Sequence, residues 1–316
     1  MLLSAATLRV RLRCGLGMSF AGSLARPNAW RLLLILPLAG LYVPVFIDLA
    51  RAWWTNSYAG HGVFVPAFSI FRVLWDWDRI RAAVGRSSPV GIPVILLALA
   101  TLGIGRWSGS LLVQNLSVVL AVAGALLWAF GERCLRVVAF PVAFLMFMAP
   151  LPDAIVNIVT LQLQVFAARV AGVALEIFDV PFYQDGVDIV LPTITLQVAT
   201  VCNGLRFLMG LLVLTIAFAY MSQRSRPRMA VLVLSAIPIA ILANAFRVAT
   251  IAVAVHYVGP QAASGIIHHS IAKAVWALTL VPLAAFGLLL RRGTVGCARR
   301  AGISGTRAEP GPRGIG

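Results

Sequence analysis

Val198-Ala-Thr-Val-Cys202-Asn-Gly-Leu-Arg206-Phe-Leu-Met-Gly210 leads a polar segment into an apolar run that continues to Tyr220 and stops at Gln223-Arg-Ser-Arg-Pro-Arg228. An apolar run of this length closed by a basic cluster reads as a membrane span with its arginine-rich end in the cytoplasm. Cys202 and Arg206 then stand at the other end, where the span meets water. A helix opening near Asn203 has unpaired amides and a positive dipole end, which favour a thiolate on Cys202, the nucleophilic form of cysteine. Cys202 and Arg206 are four apart and share a helical face if both are helical. The plain alternative is a small apolar cysteine beside a snorkelling arginine.

The composition extends that span into a bundle. Of the 316 residues, 60% are hydrophobic and only 11% charged, with a mean hydropathy of +0.93. A soluble domain would lack polar cover at that composition. The expected fold is an all-α polytopic membrane protein of about eight transmembrane helices, with a small extracytoplasmic β-hairpin before the sixth. The net charge of +16 comes from arginines clustered between apolar runs, which is the pattern of cytoplasmic loops rather than of a nucleic-acid surface. Cys14, Cys134, Cys202 and Cys297 show no paired or metal-ligand spacing, and there is no carboxylate pair or Gly-rich phosphate loop. No metal and no cofactor is expected. Cys14, Cys134 and Cys297 neighbour arginines in segments expected to be cytoplasmic, which sets Cys202 apart.

Residues 1–29, with Arg9, Arg11, Arg13 and Arg26, read as a basic cytoplasmic tail, and Met18 is a second candidate start. Residues 30–292 form the membrane domain. Spans are expected at about 31–50, 63–77, 88–105, 110–131 and 137–150, the first ending at the interfacial pair Trp53-Trp54. Asp76 to Arg81 and Glu132-Arg133 mark returns to the cytoplasm. His61, in the loop before the second span, is either a helix-opening polar residue or a functional one.

Residues 153–178 carry Asn157, Gln162, Gln164 and Arg169 and read as an amphipathic helix along the interface or oblique in the bundle. Val180 to Val198 alternates, is rich in β-branched residues, and has turn residues at Asp185-Gly186 and Pro192, as a small hairpin or ribbon would. Further spans follow at about 203–221, 229–257 and 270–290. Residues 293–316 read as a disordered cytoplasmic tail.

The span at 229–257 holds Asn244-Ala-Phe-Arg247 about ten residues before its outer end, so Arg247 lies roughly 15 Å below that end. An arginine at that depth is costly unless it faces a polar cavity or a partner. The next loop places His268 and His269 at the opening of the last span. Counting crossings from a cytoplasmic N-terminus puts Cys202, Arg247 and the two histidines in one extracytoplasmic layer. Thiol, guanidinium and imidazole are the groups that acyl transfer needs: a nucleophile, an oxyanion partner and a proton carrier. The competing class is a transporter whose buried Arg206 and Arg247 bind an anionic substrate, which would not need Cys202.

The ordered set Ser57-Tyr58-Ala-Gly-His61-Gly-Val-Phe-Val-Pro66, Pro150-Leu-Pro152, Val201-Cys202-Asn-Gly-Leu-Arg206, Asn244-Ala-Phe-Arg247-Val and Gly265-Ile-Ile-His268 resembles the exosortase/archaeosortase family of integral membrane proteins. The resemblance runs over roughly residues 30–290. It implies a cysteine transpeptidase of the bacterial inner membrane. Its partners would be secreted proteins ending in a short motif, one transmembrane helix and a basic tail, together with membrane lipid. On the matching positions Cys202 would be the nucleophile, Arg247 the catalytic arginine and His268 the catalytic histidine. His269 directly follows and also fits, but the Gly265-Ile-Ile lead favours His268. Arg206 would be a site-positioning residue, and Lys273, the chain's one lysine, has no assigned part. Whether water or an amine takes the acyl group stays open.

Overall fold

Lipid offers no hydrogen bonds, so apolar runs that cross a bilayer must satisfy their backbone internally, as helices or as a closed barrel. The computed structural model describes residues 29–192, 194–198 and 204–301, and the apolar runs are helices. In chain order these are α1 (Ala29–Thr55), a 3-10 turn (Gly60–Val63), α2 (Phe64–Trp75), α3 (Trp77–Ala83), α4 (Gly91–Trp107) and α5 (Leu111–Phe144) with a 3-10 turn (Leu145–Met148). Then come α6 (Asp153–Ile177), strands β1 (Tyr183–Asp185), β2 (Asp188–Val190) and β3 (Thr195–Gln197), and helices α7 (Gly204–Ser222), α8 (Arg226–Val258) and α9 (Gly265–Ala301). Among the described residues six helical runs are long and apolar enough to cross a membrane, while Gly60–Trp75 and Gly91–Trp107 are apolar but shorter.

The six do not map one to one onto the expected spans. Leu111–Met148 is a single run of 38 residues. A straight helix of that size would be about 57 Å long, nearly twice a hydrocarbon core of about 30 Å. The run is broken at Gly131, whose φ of 82° and ψ of 176° are not helical. Asn115, fully buried, donates through Nδ2 to the carbonyls of Leu145 at 3.0 Å and Met146 at 2.9 Å. A straight helix would hold those residues about 45 Å apart. The chain therefore doubles back at Gly131, where Glu132 and Arg133 predict a turn. α6 is apolar enough to span, and its C-terminal half is buried at Ala167, Ala168, Ala171, Gly172 and Leu175. α9 continues to Ala301, beyond residue 292 where the sequence suggests a tail.

The chain divides into two compact units. The first runs to Phe46 and resumes over Ser69–Met146. Here helices meet at glycines, as helices do where lipid tails are as apolar as their own side chains. A Cβ on Gly91 would lie 2.5 Å from the backbone nitrogen of Trp128, and one on Gly124 would lie 3.0 Å from that of Ile95, so α4 and the 111–130 arm of α5 pack backbone to backbone. The loop between α3 and α4 caps that arm, with Gly85 N–H donating to Phe130 O at 3.1 Å and Ser88 N–H to Leu127 O at 3.0 Å. Arg72 pairs with Asp76 one turn later at the end of α2.

The second unit comprises Ile47–Phe68 and everything from Phe147 onward. Its sheet is an antiparallel meander in the order β1-β2-β3, with Asp185 opposite Asp188 and Ile189 opposite Leu196. Gly186 opens the first turn at a φ of 59°. The segment expected to be extended is thus three short strands rather than one hairpin. Ile189, Leu191, Leu196 and Val198 pack in one cluster with Ala167 to Leu175 of α6 and Val248 to Val255 of α8. α6 reaches this sheet through a C-cap in which Val180 N–H donates to Leu175 O at 2.9 Å and Asp179 N–H to Glu176 O at 3.1 Å. Deeper along α8, Leu232, Ala236 and Ala240 pack on Phe207, Leu211 and Ala219 of α7 and on Leu283 of α9.

Candidate active site at the opening of α7

Cys202 lies outside the described residues, with 199–201 and Asn203. Its described flanks are Val198 and Gly204. Val198 is buried in the same cluster as Val248 and Ala249 of α8. Gly204 opens α7 against α8 and α6, since a Cβ there would lie 2.8 Å from Nδ2 of Asn244 and 3.4 Å from Cβ of Leu163. Gly204 therefore meets Asn244 directly, and Val198 shares a buried cluster with Val248, one turn beyond Asn244. The bundle core fixes that stretch in register, since its neighbours Ala245 and Val248 are buried in the cluster beneath the sheet.

Arg247 is half-buried, and its Nε is enclosed with no hydrogen-bond partner among the described residues. Nor does any described carboxylate pair with it. His268, in the first turn of α9, is half-buried, its Nδ1 enclosed and likewise without a partner. His268 thus opens the helix that packs along α8, which carries Arg247. His269 differs: it is exposed, and its Nδ1 is 2.6 Å from the Gly265 carbonyl of its own helix. The two rings stand edge to face at 5.7 Å.

Arg206 is exposed on the first turn of α7, and Lys273 is exposed on α9, two turns beyond Gly265. His61 sits in the turn Gly60–Val63, which packs against α7. Gly62 lets that turn approach closely, because a Cβ there would lie 2.8 Å from the Met148 carbonyl, which Trp53 Nε1 also meets at 2.8 Å. Burial pushes the His61 imidazole below its ordinary value, while the neighbouring carbonyls of Phe147 and Tyr58 pull it back up. Its Nε2 is enclosed with no hydrogen-bond partner among the described residues.

Two polar groups stand out only in three dimensions. Asn244 is 4% exposed with an unpartnered Oδ1, and Thr160, one turn before Leu163 on α6, is 8% exposed with an unpartnered Oγ1. The sequence displays Asn244 through its spacing to Arg247, whereas Thr160 carries no signal beyond being a hydroxyl in an apolar run. Among the described residues no three His, Cys, Asp or Glu side chains are placed to hold a metal ion. The layer can donate hydrogen bonds from a guanidinium, move a proton through an imidazole and accept through a carboxamide. A family model described as transmembrane exosortase (Exosortase_EpsH) matches residues 53–286, most of the chain. No curated protein and no solved structure matches significantly.

Proposed function

Because the chain belongs to the transmembrane exosortase family, we propose that it is a multi-pass membrane cysteine peptidase and transpeptidase that processes C-terminal sorting signals of exported proteins. Cys202 is the nucleophile, Arg247 its electrostatic partner and His268 the proton carrier. The observation that carries this reading is that Arg247, one turn from the Asn244 that meets Gly204, and His268, at the opening of the helix packed on α8, each keep an enclosed nitrogen without a partner among the described residues. Of the two histidines, the half-buried one with a free nitrogen suits proton transfer better than the exposed one tied to its own backbone.

In the reaction the Cys202 thiolate attacks the scissile carbonyl, and the new oxyanion draws on the Arg247 guanidinium. One such donor is typically worth about 10²–10³ in rate. As the tetrahedral adduct collapses, the C–N bond breaks and His268 delivers a proton to the departing amine. General acid catalysis of this kind contributes about 10²–10⁴. The thioester left on Cys202 is then opened by an acceptor amine, or by water, with His268 taking the proton back. Apolar surroundings strengthen both contributions, because little solvent competes for the charges.

Positive-inside ordering sets the sidedness of this reading. If Gln223 to Arg228 lies in the cytoplasm, α7 descends from the outer face and α8 climbs back to it. The chain then crosses about eight times, with α5 contributing two crossings through its turn at Gly131 and α6 starting and ending on the outer side. The active layer faces away from the cytoplasm, in the inner membrane of a bacterium. The test is processing of an epitope-tagged exported reporter that ends in a motif, helix and basic tail from the same genome. Cys202→Ala, Arg247→Ala and His268→Ala should each reach the membrane and leave the reporter uncut. Full processing by Cys202→Ala would overturn the reading and return Arg206 and Arg247 to binding an anionic solute.

A further inference from the structure

Asn115 and Asn244 are both deeply buried asparagines, and they use their amides differently. Asn115 spends its Nδ2 on two carbonyls, at 3.0 and 2.9 Å, and holds the two arms of α5 together, while its Oδ1 is enclosed and unpartnered. Asn244 makes no hydrogen bond to the described residues, although it is 4% exposed and its Oδ1 is enclosed. An unpaired buried acceptor costs about 1–3 kcal/mol. In Asn115 two structural hydrogen bonds from the same side chain offset that cost, whereas nothing among the described residues offsets it in Asn244. Three further enclosed, unpartnered atoms belong to helices that pack on α7: Thr160 Oγ1 on α6, Arg247 Nε on α8 and His268 Nδ1 on α9.

A peptide entering this layer brings its own unpaired backbone groups, which the apolar surroundings do not satisfy. Its carbonyl can be met by Arg247, which only donates. Its N–H needs an acceptor, and no described carboxylate stands beside Arg247. Asn244 lies one turn before Arg247 on the same helical face and supplies a neutral acceptor. We infer that Asn244 is a substrate-binding residue whose Oδ1 accepts a main-chain N–H from the segment next to the cut. The inference rests on the peptidase reading and adds to it the group that holds the peptide in register while Arg247 and His268 act on the scissile bond. Contact with Gly204 fixes the carboxamide at the opening of α7, because a side chain on that glycine would push it away.

The test uses the full-length protein in its membrane with the same tagged reporter. Asn244→Leu keeps the approximate shape and removes both polar atoms. Processing should fall about tenfold or more, the loss of one hydrogen bond to the substrate. The thermal midpoint in detergent should stay equal or rise, since an unpaired polar group is gone, and the rate of Cys202 alkylation by iodoacetamide should stay within about twofold of wild type. A lowered midpoint would mean that Asn244 is bonded within the fold, and unchanged processing would mean that the substrate does not use it; either result overturns the inference. Should Asn244→Leu fail to accumulate, Asn244→Thr and Asn244→Val form a pair that differs only in a hydroxyl acceptor. Threonine should process at least about threefold more than valine, and equality would overturn the inference. Processing by Cys202→Ala is a separate result, which would remove the peptidase reading itself.

Discussion

Gly131→Ala attacks the turn that divides α5 and so sets the direction of every later crossing. Gly131 sits at φ 82° and ψ 176°, a region open essentially to glycine alone. Holding alanine there costs about 1–3 kcal/mol. Its Cβ would also lie 2.2 Å from the Arg86 carbonyl oxygen, which must retreat by about an ångström to reach ordinary contact. Arg86 belongs to the loop tied to α5 by the Gly85 and Ser88 N–H groups. Moving that loop puts both hydrogen bonds at risk, at about 0.5–1.5 kcal/mol each. The total is about 2–6 kcal/mol, a large share of the stability of a typical domain. Cys134, three residues on and 2% exposed, reports the damage locally. In wild type it should resist N-ethylmaleimide; in Gly131→Ala it should react, and the thermal midpoint in detergent should drop by roughly 5–10 °C. Gly103→Ala is the control, because nothing lies within 4 Å of a Cβ there, and it should be neutral or stabilising by up to about 1 kcal/mol. A Gly131→Ala protein as stable as wild type, with Cys134 still protected, would refute the reversal and the crossing count built on it.

A reporter active only outside the cytoplasm should work when fused after Gly259 and stay silent after Arg226; the reverse pattern would place the proposed layer on the cytoplasmic face. Arg247→Lys should lose most processing although the charge remains, because an ammonium does not reproduce the planar fork, and near-normal processing by Arg247→Lys would reduce the arginine to a point charge. His269→Ala should retain processing where His268→Ala does not; the opposite result would move the proton carrier by one residue. The depressed His61 value makes the folded protein bind fewer protons than the unfolded chain once the pH falls below about 6.5. That contribution is present above this value and is lost as the pH drops, so the thermal midpoint should fall from about pH 7 to 5.5, and less steeply in His61→Gln. Identical slopes would show that His61 is not buried in its neutral form.

The extended segment before α7 was legible because its aspartates, glutamine and prolines suit neither lipid nor a helix, and Asp185-Gly186 marks the first turn. Its third strand was not, since Thr195 to Gln197 is stabilised by Ile189 and Leu191 through the cluster beneath it rather than by its own pattern. The turn in α5 was visible in Glu132 and Arg133. The residue that makes it possible, Gly131, looks like any other glycine in an apolar run. α6 is legible as a helix through residues 153–178, whereas its packing face on α8 and the sheet is made by Ala167, Ala168, Ala171 and Gly172, small residues that carry no signal in an apolar run. The residue types of the candidate site could be read from the chain, whereas the enclosure of Arg247 Nε and His268 Nδ1 depends on how α9 packs on α8. The idle carboxamide of Asn244 is likewise a fact of packing, since spacing alone does not show which polar groups find partners.

The central claim is a covalent one, and mass spectrometry of the full-length protein incubated with the tagged reporter tests it most directly. An acyl adduct is expected on the peptide containing Cys202, released by hydroxylamine as a thioester is, absent from Cys202→Ala and accumulating when no acceptor amine is supplied. An adduct on another residue, or full processing by Cys202→Ala with no adduct at all, would contradict it.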